Sequence, residues 1–152
     1  MKKWERTCGS LNLQRYFLPL ISMDRLLSEK KRGTPLCLYP GQCIVGEGAV
    51  VGNSTELKNV VLFNKVQVPH YNYVGDSVLG YKAHMGAGSI TSNVKSDKKL
   101  VVVKTPEGGI ETGMKKFGAM LGDEVEVGCG TVLNPGSVVG KQSNIYRCPV
   151  CV

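Results

Sequence analysis

An aliphatic residue, usually with glycine next and a small residue four places after it, recurs along this chain. VGEGAV, VGNSTE, LGYKAH, MGAGSI, LGDEVE, VGCGTV, LNPGSV and VGKQSN follow the pattern, with Ala49, Thr55, Ala83, Ser89, Val125, Thr131, Ser137 and Ser143 in the fourth place. A six-residue period suits neither a helix nor a long alternating strand. It suits a chain that makes a short strand, turns a corner and repeats, so that equivalent positions stack coil on coil. Glycine at the corner accepts backbone angles that other residues resist.

Three hexads close one coil, and the predicted fold is all-β. It is a single-stranded left-handed parallel β-helix of hexapeptide repeats over residues 44–146. Val45, Val51 and Leu57, and later Leu121, Val127, Leu133 and Val139, are expected to point inward. The rhythm breaks once. Val45, Val51, Leu57 and Phe63 fall six apart, whereas Leu79 and Met85 follow a shifted register. Between them stands VPHYNYVGDSVLG, and the break predicts that His70 leaves the stack and faces a cleft.

A second departure runs from Val94 to Ala119, which holds no hexads. Leu100 to Lys104 reads as a strand, TPEGG as a turn and Ile110 to Thr112 as a returning strand. A projecting hairpin loop is expected, carrying Lys95, Lys98, Lys99, Lys104, Lys115 and Lys116. Such an arm is either a solvated loop or a basic cover for an anionic substrate.

The formal net charge of +7 suggests a nucleic-acid partner, but its distribution argues against one. Residues 44–146 carry 10 lysines against 9 acidic residues, so the excess charge lies in the flanks. No basic footprint covers the regular part of the chain. Five of the 6 cysteines are also in the flanks, and CPVC at Cys148 to Cys151 is only half a zinc site, so no metal is expected. No apolar run reaches membrane-spanning length. YFLPLISM is short, holds a proline and is followed by no small-residue cleavage site. The expectation is a cytoplasmic protein without a membrane partner.

The stretch TELKNVVLFNKVQVPHYNYVGDSVLGYKAHMGAGSITSN, Thr55 to Asn93, carries a family signature. It resembles the acetyltransferase domain of the bifunctional N-acetylglucosamine-1-phosphate uridyltransferase/glucosamine-1-phosphate acetyltransferase. The downstream TGMKKFGAMLGDEVEVGCGTVLNPGSVVG is similar to the archaeal-type branch of these enzymes. The resemblance implies acetyl transfer from acetyl-CoA to the amine of an amino-sugar phosphate, within nucleotide-sugar or cell-envelope precursor synthesis. It implies His70 as the catalytic residue and Lys58, Tyr73, Asn93 and Lys99 as sugar-phosphate contacts. It places acetyl-CoA near Ala87 and Cys129, and it implies a homotrimer with sites between subunits. The chemistry suits these residues, because attack on a thioester needs a neutral amine and histidine titrates near neutrality. Lysine suits phosphate as a point charge. Uridylyl transfer is not expected.

Four positions depart from the family pattern. His84 stands where asparagine is usual, Val94 where tyrosine is common, and Cys129 in place of a serine. Tyr39, before Pro40-Gly41, stands where the family has a phosphate-gripping arginine. Tyrosine does not reproduce a bidentate guanidinium, so the expected activity is impaired. Residues 1–43 hold no hexads, and RGTPLCLYPGQC can be encoded so that a one-base shift reads repeat-like text containing that arginine. Residues 1–43 and 147–152 are therefore expected to be frame-shifted, irregular flanks. The alternatives are a non-catalytic binding or regulatory relative and a metal hydratase-like enzyme. The latter needs three converging histidines, and the chain has 2.

Overall fold

The computed structural model describes residues 42–146. Among them every regular element is a strand. The first coil is built from β1 (Cys43–Val45), β2 (Val50–Asn53) and β3 (Glu56–Lys58), and the second from β4 (Val60–Leu62), β5 (Gln67–His70) and β6 (Tyr73–Gly75). The third holds β7 (Val78–Leu79), β8 (His84–Met85) and β9 (Ile90–Thr91). A hairpin follows, β10 (Val102–Thr105) with β11 (Gly108–Glu111). The coils resume with β12 (Ala119–Leu121), β13 (Glu126–Val127) and β14 (Val132–Leu133), then β15 (Ser137–Val139) and β16 (Asn144–Ile145).

Three parallel sheets result, one per side of the coil. The first is β1-β4-β7-β12-β15, the second β16-β13-β8-β5-β2 and the third β14-β9-β6-β3. The parallel β-helix and the inserted hairpin follow the expectation from the hexads. Residues 1–41, Tyr39 among them, and residues 147–152 with the CPVC tail lie outside the described residues. Cys43, one position before the expected start of the repeat, already belongs to β1 and is buried.

The inward columns close the core. Leu57, Leu62, Val68, Val74, Leu79 and Met85 are almost fully buried, joined by Leu121, Val127 and Leu133. Val51 and Val139 pack against this core while half-buried. Val45 does not meet the expectation. It pairs in register with the buried Leu62 but is 44% exposed, on the first described rung.

The break in the rhythm also has a different place. Val61 pairs with Val78, and Asn59 bonds Asp76, at a coil length of 17 residues. Later coils take 18. The missing residue is at the corner between the third and first sheets, where Leu57 leads to Leu62 and Val74 to Leu79. Leu62 is therefore the inward residue, and Phe63 is 49% exposed. Asn59 and Asp76 make these tight corners with left-handed φ of 54° and 46°, a conformation that short polar side chains tolerate. His70 stays in the stack. It pairs in register with Asn53, and its carbonyl accepts from the Gly88 N–H at 2.9 Å.

A second inward column, Thr55, Asn72, Ser89 and Thr131, is polar and buried. Asn72 Nδ2 donates to Gly86 O at 2.8 Å and Ser89 Oγ at 2.9 Å, so burial of the amide is matched by bonds. Among the described residues Thr131 Oγ1 has no partner. The outer surfaces differ by side. The first sheet presents an apolar column, Ile44, Val61, Val78, Met120 and Val138. The third presents Tyr73, Ile90 and Val132. The second is more polar, with Gln67, His84, Glu126 and Asn144.

The hairpin leaves after β9 and returns at β12. Its base is zipped by Val101, which is buried and bonded to Met114 O at 2.8 Å, and by the Val94–Lys116 bridge. Its strands pair antiparallel from Val102–Glu111 to Thr105–Gly108.

Candidate functional site

Stacking brings three of the expected site residues together. The Tyr71 N–H donates to Asn53 O, Gly88 to His70 O and Gly130 to Ala87 O, at 2.8–2.9 Å. These bonds advance one coil at a time at the corner between the second and third sheets. Asn53, His70, Ala87 and Cys129 thus share one column. His70 and Cys129 are exposed and Ala87 is half-buried. Cys129 is a free thiol.

The backbone holds His70 firmly. Its N–H donates to Asn72 Oδ1 at 3.0 Å. Tyr71 between them has a left-handed φ of 54° and is 63% exposed, an uncommon conformation for an aromatic residue. Among the described residues the His70 imidazole makes no hydrogen bond. It faces solvent and is available to a ligand or a neighbouring molecule.

Tyr73 and Asn93 meet at the other end of the third sheet, beside the Asp76 corner. Asn93 Nδ2 donates to Tyr73 Oη at 3.2 Å and also to the Asp76 carboxylate, whose other oxygen accepts from Asn59 Nδ2 at 3.1 Å. Burial pushes the Tyr73 phenol above its ordinary range; the Asn93 bond opposes this, and the Glu56 and Asp76 carboxylates add to it. Gly75 makes room for the ring. A Cβ there would stand 2.5 Å from Tyr73 Oη and 2.8 Å from Asn93 Nδ2. Lys58 pairs with Gly75 across β3 and β6, one strand from Tyr73. Lys99 is separate. It is exposed, its N–H donates to Asp97 Oδ1 at 3.0 Å, and among the described residues no hydrogen bond or ion pair joins it to Lys58, Tyr73 or Asn93.

One pair was not anticipated. His84 Nδ1 lies 2.7 Å from Glu126 Oε2, across paired strands β8 and β13. Both line a shallow groove with Cys129, Asn144 and Tyr146. The signal was present in the chain: LGYKAH and LGDEVE, laid hexad on hexad, put His84 beside Glu126. The hairpin between them obscured it. Among the described residues no group of three His, Cys, Asp or Glu side chains could hold a metal ion. No helix of the described residues is long and apolar enough to cross a membrane.

Similarity to known proteins bears out the resemblance. The chain is 36% identical over 111 residues to the bifunctional protein GlmU of Methanococcus maripaludis, covering 73% of this chain and 27% of that protein. It is 35% identical over 103 residues to the bifunctional sugar-1-phosphate nucleotidylyltransferase/acetyltransferase of Sulfurisphaera tokodaii, covering 68% and 26%. It is 32% identical over 102 residues to the putative uncharacterized acetyltransferase YaiX of Escherichia coli, covering 67% and 44%. The chain spans about a quarter of the two bifunctional relatives. A hexapeptide transferase family protein from Anaplasma phagocytophilum aligns at TM-score 0.43 and 15% identity, over 78% of this chain and 79% of that one. No protein-family model matches the chain.

Proposed function

We propose that this chain transfers an acetyl group from acetyl-CoA to the amine of an amino-sugar phosphate of the glucosamine-1-phosphate type. The observation that carries the reading is the shared corner column of His70, Ala87 and Cys129, with the Tyr73–Asn93 pair at the other end of the adjoining third sheet. The similarity to sugar-1-phosphate acetyltransferases supports the same chemistry. In this reading His70 takes the proton of the attacking amine. Ala87 and Cys129 border the thioester, and Lys58, Tyr73, Asn93 and Lys99 hold the sugar phosphate. We place the protein in the cytoplasm.

The working form is a homotrimer. Two of the three sheets have apolar outer columns, so each copy can offer one apolar side to each of two neighbours in a closed ring. The lysine-bearing hairpin of one copy would then lie over the His70 of the next. Turnover is slow as written, because Tyr39 does not replace an arginine fork. Losing such a contact costs about 2–3 kcal/mol, or about 30- to 150-fold in kcat/KM. Restoring the alternative frame over residues 32–43 recovers it.

The test is release of free thiol from acetyl-CoA in the presence of glucosamine-1-phosphate. Acceptor-dependent release, abolished in His70→Ala with acetyl-CoA binding retained, is the expected result. Binding of acetyl-CoA without acceptor-dependent release would instead identify a non-catalytic relative.

A further inference from the structure

An ammonium must lose two protons to become an amide, and His70 accounts for one. We infer that His84, held by Glu126, is a second catalytic base that removes the first proton from the acceptor before attack. This inference rests on the acetyl-transfer reading above. The His84–Glu126 bond fixes the ring: Nδ1–H donates to the carboxylate at 2.7 Å, and the Nε2 lone pair is left free. His70 has no such partner among the described residues. Ala87, three residues on from His84, stacks directly on His70, so the two histidines stand on adjoining rungs beside one corner of the coil. His84 is 34% exposed, which lets a captured proton pass to water. The groups around it are Glu126 on β13, Gln67 on β5, and Cys129 and Tyr146 in the groove.

The steps balance. His84 Nε2 takes one proton from the acceptor ammonium and releases it to water. The neutral amine attacks the thioester carbonyl and a C–N bond forms. His70 takes the second proton, the C–S bond breaks, and that proton passes to the departing thiolate. Acetyl-CoA and the ammonium become the amide, free thiol and one proton in solution.

Two roles for two histidines give two different pH signatures. An amine with a pKa of about 8 is almost wholly protonated at pH ~6.5 and mostly neutral at pH ~9. With acetyl-CoA and glucosamine-1-phosphate, His84→Asn is expected to lower kcat/KM about tenfold at pH ~6.5 and to approach the unsubstituted chain within about twofold at pH ~9. Glu126→Gln is expected to follow it more weakly. His70→Ala is expected to stay inactive at both. Nitrogen-15 spectra of the two imidazoles add a readout independent of turnover, with His84 expected as the Nδ1–H tautomer. A His84→Asn deficit that is absent, or that persists undiminished at pH ~9, overturns the second base and leaves acetyl transfer standing. An Nε2–H tautomer overturns it as well. An unsubstituted chain inactive at both pH values overturns the acetyl-transfer reading and this inference with it.

Discussion

The Asn72 side chain accepts the backbone N–H of His70 at 3.0 Å while its own amide donates inward to Gly86 and Ser89. One buried amide thus ties the exposed histidine corner to the next coil. Asn72→Ala removes all of these bonds and leaves a void in the column; the His70 N–H loses its acceptor, while Gly86 O keeps the Ser89 N–H and hydroxyl. A loss of about 2–4 kcal/mol is expected in urea unfolding. A change below about 1 kcal/mol would mean that water replaces the amide.

Thr131 gives the opposite case. Its hydroxyl is buried in the same column with no partner among the described residues. Thr131→Val keeps the shape and removes the desolvated oxygen, so stability should rise by about 1 kcal/mol. Thermal unfolding measures it, and a lower midpoint would reveal a hydrogen bond to that oxygen.

Gly75→Ala tests the sugar-phosphate contacts. The added methyl would stand 2.5 Å from Tyr73 Oη, so the ring must swing away from Asn93. KM for glucosamine-1-phosphate should rise about tenfold, the loss of one good hydrogen bond, with the strand signal in circular dichroism unchanged. An unaltered KM would remove Tyr73 and Asn93 from the acceptor site.

The raised Tyr73 phenol carries a pH dependence with a definite sign. The folded chain keeps this proton at pH values where the unfolded phenol, near 10.0, has lost it. The contribution is therefore complete below the unfolded value and lost as pH rises through the folded one. Tyr73→Phe should flatten stability against pH above about 10; equal slopes in both proteins would contradict the shift.

Self-association should depend on the first sheet. Val138 is 59% exposed at the end of its apolar column. Val138→Asp should convert a trimer into monomers in light scattering without unfolding the chain, because the residue makes little core contact. A protein that is monomeric before substitution would count against the trimer itself.

The inward residues were legible because their period is that of the coil: Leu57, Leu121, Val127 and Leu133 are buried where the hexads put them. Phe63 keeps the six-residue spacing yet stands outside, because the corner at Asn59 uses one residue fewer, as the pairing of Val61 with Val78 reveals. Val45 holds the inward register of Leu62 but is exposed on the first described rung; periodicity reports direction and not burial. His70 was read as leaving the lattice, yet it is bonded into it. The Glu126 partner of His84 escaped notice because it lies 42 residues away, across the hairpin.

That separation has a consequence for how such chains diversify. Ile90 and Val132 are neighbours on adjoining rungs, although the whole arm lies between them. The ladder pays no attention to what is threaded out and back, provided that Val101 and its neighbours fasten the base. Lineages can lengthen, recharge or prune the arm as a cassette, and no rung need change its partner. Two descendants with matching coils and unlike arms would stand equally well and recognise different things.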